Sequence, residues 1–491
     1  MRCFPPIVFS ILTACAVQAE DHWAYNPPVA VKVANRQHPV DGLLHQQRKA
    51  TGTVANLMAE PRQWAIRASF SLTGLPPTME QIERLEADPK QWPKLLDEWM
   101  ASTAYGERWA RHWMDVARYA DTFGYNFQKD NRFPFAWTYR EWLVDAFNRD
   151  IPWAQFIKLQ IAADLVVDKP DHPDLAALGF LTVGPRGRHE VMMDDRVDVI
   201  TRGFMSSTVS CARCHKHKTD PISMTDYYSF FSIVENADAN PRGPVIGAPA
   251  NAKAHEQFLA EMKKIDHENH QFRHGIVKQV REPSTLAGYL HLGWLAHRQN
   301  WELARCQTDS FKMYKLRGKA TLQWKKFLAV SAVGDNTAPR LAQWYTEMGK
   351  HGANQKALCE ALANEWHAAI QSGKGQLANQ AKRKLCPLSY DEGQVQQFFT
   401  QKDGQKNREI EAKRAKLESS HPGGPPRAMV VKERQNYKLA RKYKRGDPNQ
   451  KSEPFKRHWL EMLGGGDYHD DESPRLQMAK KIADAANPLT A

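Results

Sequence analysis

Cys211-Ala212-Arg213-Cys214-His215 is the stretch of this chain whose residue types and spacing name a chemistry. Two thiols three positions apart can reach the two vinyl groups on one porphyrin edge and form thioethers. The adjacent His then lies under the iron, where its imidazole supplies the proximal ligand. With seven Cys and 19 His in 491 residues, a chance CxxCH is rare. Two other readings use the same atoms. Thiolate and imidazole also suit zinc or iron, so Cys211, Cys214, His215 and His217 could hold such an ion as a compact structural site. The two Cys could instead form a reducible disulfide. Covalent haem c is the leading reading, with His215 as the metal ligand.

His217 is too close to His215 to reach the opposite face of the same haem, and it is expected to bond a propionate or Asp220. A sixth ligand would be a Met or a His. Met224 and Met205 are the nearest Met residues, with His189, Met192 and Met193 upstream, although Met at such positions is more often a core filler. The expected cofactor-binding set is therefore Cys211, Cys214, His215, Met224 and His217. Arg213, Lys216 and Lys218 make the rim positive, which suits an acidic redox partner protein; the alternative is that they pair with propionates or Asp220. A second set of charges, Asp115, Arg118 and Asp121, with Arg140, Asp145 and Asn148 further on, reads as structural ion pairs more than as catalytic acids. There is no nucleophile–base pair, no Gly-rich phosphate loop and no HExxH, so the residues do not support an enzyme activity.

The start of the chain sets the compartment. Arg2, the apolar run Cys3 to Val17 and the small-residue site Val17-Gln18-Ala19 read as a signal peptide over 1–19. Leu12-Thr13-Ala14-Cys15 also has the pattern of a lipoprotein box, which would put a lipid anchor on Cys15. The expected location is periplasmic or secreted, with an outer-membrane lipoprotein as the variant. The apolar run is shorter than the roughly 20 residues a membrane helix needs, and no later segment looks transmembrane. Of the five remaining Cys, the widely spaced Cys306, Cys359 and Cys386 leave room for one disulfide whose pairing the sequence does not give.

The composition is that of a globular chain: 42% hydrophobic, 25% charged, and a formal charge of +13 from 68 basic and 55 acidic residues. That balance suits polyanions such as an anionic polysaccharide. Nucleic acid is not expected, since no zinc-finger, RRM or helix-turn-helix signature accompanies the charge.

The elements that must position the motif are helices. Thr78 reads as an N-cap with Glu80 in the first turn. Tyr105 to Ala120 reads as a helix with Trp109, Trp113, Val116 and Ala120 on its inner face. Phe135 to Phe147 follows with Trp142, Leu143 and Phe147 inward, then a break at Asp150-Ile151-Pro152 and a helix from Trp153 to Leu165. β-Branched alternation is scarce, so few strands are expected. Phe258, Met262, Ile265, Phe272 and Ile276 fall at heptad spacing, with Asn269 at the polar seam position; charged Lys402 to Glu418 is the expected partner. His421-Pro422-Gly423-Gly424-Pro425-Pro426 reads as a linker.

Several ordered blocks carry a resemblance. They are Ser71-Leu72-Thr73-Gly74-Leu75-Pro76-Pro77-Thr78, Tyr105-Gly106-Glu107-Arg108-Trp109-Ala110-Arg111-His112-Trp113, Asp115-Val116-Ala117-Arg118-Tyr119-Ala120-Asp121, Trp137-Thr138-Tyr139-Arg140, and the CxxCH with Lys216-His217-Lys218. Over about residues 20–240 they resemble the planctomycete-type cytochrome-like, CxxCH-containing family of secreted proteins of unknown function. The resemblance implies a haem c module and assigns no activity. Three positions depart from it. Ala163 stands where the family has Gly before an Asp, Lys216 replaces an acidic residue, and Thr219 replaces an aromatic one. Arg427-Ala428-Met429-Val430, Lys444-Arg445-Gly446-Asp447-Pro448 and Asn487-Pro488-Leu489-Thr490-Ala491 look like the opening of the companion domain that follows in that family.

The expected architecture is thus mainly α: a multi-helical haem-c-like domain (20–240), a charged helical and coiled-coil region (241–420), the linker 421–426, and a truncated C-terminal segment (427–491). The last segment, cut from its companion domain, is expected to pack poorly, to dock only in part on the haem domain, and to be protease-sensitive. The expected function is an exported c-type haem-binding protein for electron transfer or redox sensing. Its alternatives are a structural or polysaccharide-binding protein with a Cys/His metal site, and the non-catalytic part of a degradative enzyme.

Overall fold

The computed structural model describes residues 23–29, 38–122, 132–240, 242–298, 316, 318–331, 339–383 and 386–490. Residues 1–19, the expected signal peptide with Cys15, and Cys306 lie outside the described residues. The fold is mainly helical, with one two-stranded sheet among the described residues. No described helix is long and apolar enough to cross a membrane. The chain forms two compact units: residues 250–424 make one, and the flanking segments, through Pro249 and from Pro425 onward, make the other.

The first unit runs α1 (Pro39–Thr51), α2 (Pro61–Thr73), α3 (Met79–Ala87), α4 (Trp92–Met100), α5 (Thr103–Val116), α6 (Ala136–Asn148), α7 (Trp153–Val166), α8 (Gly179–Thr182), α9 (His189–Met205), α10 (Met224–Glu235) and β1 (Ala237–Asn240). Thr78 caps α3 as its sequence suggests, in a reciprocal box with Gln81. The face of α5 differs from expectation. Trp109 and Val116 are exposed, whereas Gly106, Ala110, Trp113 and Ala117 point inward. Small residues are needed there because α6 lies close: a Cβ on Gly106 would stand 2.4 Å from the Val144 carbonyl oxygen. Trp113 then reaches an aromatic core with Phe156, Phe180 and Phe204. Its indole N–H and the Tyr139 hydroxyl both donate to Oε1 of the fully buried Gln160, at 2.8 and 2.6 Å.

The helix also ends earlier than the sequence suggested, at Val116. Arg118 adopts φ +46°, and its guanidinium turns back to Asp195 and the Phe180 carbonyl. Asp115 and Asp121 therefore do not share a helix face with it. Asp115 pairs with Arg111, and Asp121 accepts from the Tyr119 hydroxyl. Arg140 pairs with Glu141, Asp145 with Arg149, and Asn148 accepts from the Gly106 amide. These are local structural contacts.

The second unit comprises α11 (Ala252–Arg281), α12 (Pro283–Arg298), α13 (Gly318–Ser331), α14 (Pro339–Met348), α15 (Gln355–Ser372), α16 (Gln376–Ala381) and α17 (Gln401–Ser420). Its core centres on Trp324, Trp344, Trp366, Leu290 and Leu362. The heptad helix α11 pairs with charged α17 as expected. Glu268 meets Lys406 and Lys413, and Asp266 meets Arg414. Cys359 and Cys386 are buried free thiols, so they do not supply the disulfide that the spacing allowed. Burial pushes both thiols up to about 12, well outside the reactive range.

The chain re-enters the first unit with β2 (Val430–Glu433) and closes with α18 (Pro474–Ile482). The expectation of a poorly packed tail is corrected here. β2 pairs antiparallel with β1, from Ala237 opposite Glu433 to Asn240 opposite Val430. Trp459, Leu460, Met478 and Ile482 are buried in the same core as α5 to α10. Arg475 is 1% exposed. Its guanidinium holds both oxygens of Asp164 at 2.8 and 2.7 Å and lies 3.3 Å from Glu433. A further bond goes to the Ile161 carbonyl at 2.8 Å, just before Ala162, whose φ of −147° interrupts α7. A segment that has too few apolar residues for its own core completes one built by others.

Candidate functional site

The motif follows the end of α9. Ser206 turns the chain with φ +49°, and residues 209–213 make a single 3-10 turn. Within it Val209 and Ala212 are fully buried and Cys211 is exposed, as are Cys214 and His215 just past its end. Alternation of this kind sends the two thiols and the imidazole outward from an anchored backbone. Neither Cys is in a disulfide. The anchors come from both flanking helices. Arg213 lies 3.5 Å from Asp194 of α9, and its carbonyl accepts from the Tyr228 hydroxyl of α10 at 3.1 Å. Tyr227 donates to Asp194 at 2.5 Å; burial and that carboxylate push its phenol up, so it remains a donor.

The two histidines have opposite tautomers, and their partners fix which. His215 Nδ1 lies 2.6 Å from the Lys216 carbonyl oxygen, which can only accept. Nδ1 therefore carries a proton, and in the neutral tautomer the lone pair sits on exposed Nε2. Metal-binding His residues are commonly oriented by such a bond from the other nitrogen. His217 is buried, and its Nδ1 accepts the Asp220 backbone N–H at 2.9 Å. Its proton is therefore on Nε2, 3.0 Å from the Thr208 hydroxyl. His217 bonds the Asp220 backbone and organises the loop, with neither nitrogen free. Met224 opens α10, half-buried against the core. Met193 and Met205 are buried in that core, and His189 faces Glu235 at 3.2 Å. Cys211, Cys214 and His215 thus stand together on one turn; His217 lies beneath, and Met224 belongs to the neighbouring helix.

Sequence reasoning missed the residues that cover the motif. Gly446, with φ +76°, lies so close that a Cβ there would be 2.7 Å from Cys214 Sγ. Tyr443, just before it, packs on Tyr228 with ring centroids 5.0 Å apart. The Lys444-Arg445-Gly446-Asp447-Pro448 block stood out only as resembling the opening of a companion domain, and its place over Cys214 was not legible. The donor set fits a c-type haem in its chemistry: two accessible, reduced thiols, an imidazole with an outward lone pair, and a glycine that leaves room at one sulfur.

Residues 39–239 match the family PSCyt2, described as a protein of unknown function (DUF1549). The match spans α1 to β1 and contains the CxxCH turn; it includes neither the inserted unit nor the C-terminal segment that completes the first one. No curated protein and no solved structure matches the chain.

Proposed function

We propose that Cys211, Cys214 and His215 are the attachment site of a covalent c-type haem, in an exported protein that transfers electrons or senses redox state. One observation carries this reading. Two exposed thiols and the outward Nε2 of His215 project from one short stretch anchored by Asp194 and Tyr228. When bound, the haem would supply one-electron chemistry. The chain's own part is to hold two thioether carbons, to present one imidazole nitrogen in a fixed tautomer, and to shelter one sulfur beneath Gly446. Lys216 and Lys218 are exposed beside His215, where they suit an acidic partner. A compact Cys/His zinc site is less well supported, because His217 would have to give up its bonds to Asp220 and Thr208 to serve as fourth ligand.

The test is expression with haem-maturation machinery, followed by a pyridine haemochrome spectrum and haem staining of a denaturing gel. Haem colour should survive denaturation in the parent and vanish in Cys211→Ser with Cys214→Ser. His215→Ala should keep the covalent haem and lose the low-spin spectrum. A colourless parent with stoichiometric zinc would sink the reading.

A further inference from the structure

Within the second unit, α11 carries His270 and His274 one turn apart. Their rings lie nearly parallel, with centroids 5.6 Å apart and 30° between planes. Glu392 comes from the irregular stretch between α16 and α17 and reaches both. One oxygen is 2.7 Å from His270 Nδ1, and the other is 3.2 Å from His274 Nδ1. Arg273, between the two histidines, donates to the Glu392 carbonyl at 2.8 Å and to Asn407 at 3.1 Å. The backbone bearing the carboxylate is thereby tied to the helix bearing the imidazoles. One ligand atom from each of the three residues falls within 4.8 Å of the others. Both His side chains are 62% exposed, so an ion could enter from solvent without opening the fold.

These distances nearly match a coordination shell. Zinc binds imidazole nitrogen at about 2.0–2.1 Å and carboxylate oxygen at about 2.0–2.2 Å, so ligand atoms in a tetrahedral shell lie roughly 3.3–3.5 Å apart. The observed 2.7 and 3.2 Å contacts need less than about 1 Å of adjustment, on exposed side chains free to rotate. Both imidazoles donate to Glu392, and no Lys or Arg among the described residues pairs with its carboxylate. An ion would replace those two hydrogen bonds, with Nδ1 of each ring turned from donor to ligand.

We propose that His270, His274 and Glu392 bind a divalent transition-metal ion of the zinc class, with water completing the shell. The ion clamps residues 386–399 to α11. This site is separate from the CxxCH turn and stands whether or not that turn carries haem. The test uses the full chain carrying Cys211→Ser, Cys214→Ser and His215→Ala, so that the thiolates do not compete. Zinc chloride is titrated against a chromophoric chelator. One ion per chain is expected. His270→Gln with His274→Gln should weaken uptake by at least about 10–100-fold, the cost typical even of outer-shell partners. Zinc should also protect residues 386–399 from limited proteolysis in the parent and not in that variant. No uptake by the parent, or equal uptake by the double variant, overturns the proposal.

Discussion

The two units bury different kinds of side chain. The first encloses Arg475, Arg196 and Asp226, each no more than 5% exposed. Arg196 donates to the carbonyls of Leu181, Val234 and Ala237, and Arg475 joins Asp164 and Glu433. Among its described residues, the second unit buries no charged side chain; Trp324, Trp344 and Trp366 fill its centre, and its ion pairs lie at the surface. For Arg475 and Asp226, which meet partners across the insertion, the difference follows from connectivity. Helices that follow one another along the chain find one another through apolar periodicity. A strand and a helix that return after a long insertion need directional contacts to fix their register, and buried ion pairs and carbonyl bonds are directional.

The sharpest way to break this contrast is Arg475→Ala. It takes the cation from Asp164 and the Ile161 carbonyl and leaves Glu433 only the Tyr437 and Ser473 hydroxyls, and it should destabilise the first unit by about 3–5 kcal/mol. Hydrogen exchange should read faster opening at β1, β2 and α7, with α12 and α15 unchanged. Protection lost equally in both units would end the claim that the pair fastens one of them. The converse is Leu362→Ala, at a fully buried position of α15. It should cost the second unit about 2–5 kcal/mol through the cavity it leaves. The same exchange measurement should show α12 and α15 loosened and the β1–β2 pairing intact.

The smallest effect is a pH slope confined to the first unit. His458, in the C-terminal segment, lies 3.3 Å from Asp226 of α10. That carboxylate raises the imidazole's affinity for its proton; burial opposes, while the Lys456 carbonyl and Glu461 assist. Asp226 is penalised by burial, yet contacts from His458, Ser223 and the Glu461 amide hold it below the usual carboxylate range. A raised His pKa contributes stability that is full below the unfolded value of about 6.5 and is lost as pH rises through the folded value. Stability of the first unit should therefore fall over that interval, and His458→Gln should flatten the slope. An unchanged slope in the variant would assign it to another group.

What could be read in advance was mostly local. The Thr78 cap and the break after α6 follow from short-range spacing; the pairing of α11 with α17 follows from a heptad and a charged helix, though residues 282–400 separate them. The inner face of α5 was misread because large residues were taken to point inward; the close approach of α6 selects Gly106, Ala110 and Ala117 instead. The motif itself was legible, but the rest of the site was not. The opposite tautomers of His215 and His217 depend on which backbone groups each ring meets. Gly446 and Tyr443 depend on a chain return of the kind that puts Tyr228 and Tyr443 together from 215 positions apart. The same blindness made residues 427–490 look marginal: their apolar residues are few by themselves, and only the core they enter makes them sufficient.

The interrupted layout of the first unit also sets an order of events during synthesis. β1, the kinked α7 and Asp164 emerge well before β2 and Arg475, from the ribosome and from an export channel alike. The whole of residues 250–424 intervenes, and at about 5–20 residues per second that delay is roughly 10–35 s. The inserted unit, whose core is continuous in sequence, has time to fold first. The earlier unit meanwhile waits with an open strand edge and an unpaired carboxylate. The half of the molecule that begins first is finished last, and the nascent chain is most vulnerable to mispairing and proteases in that interval.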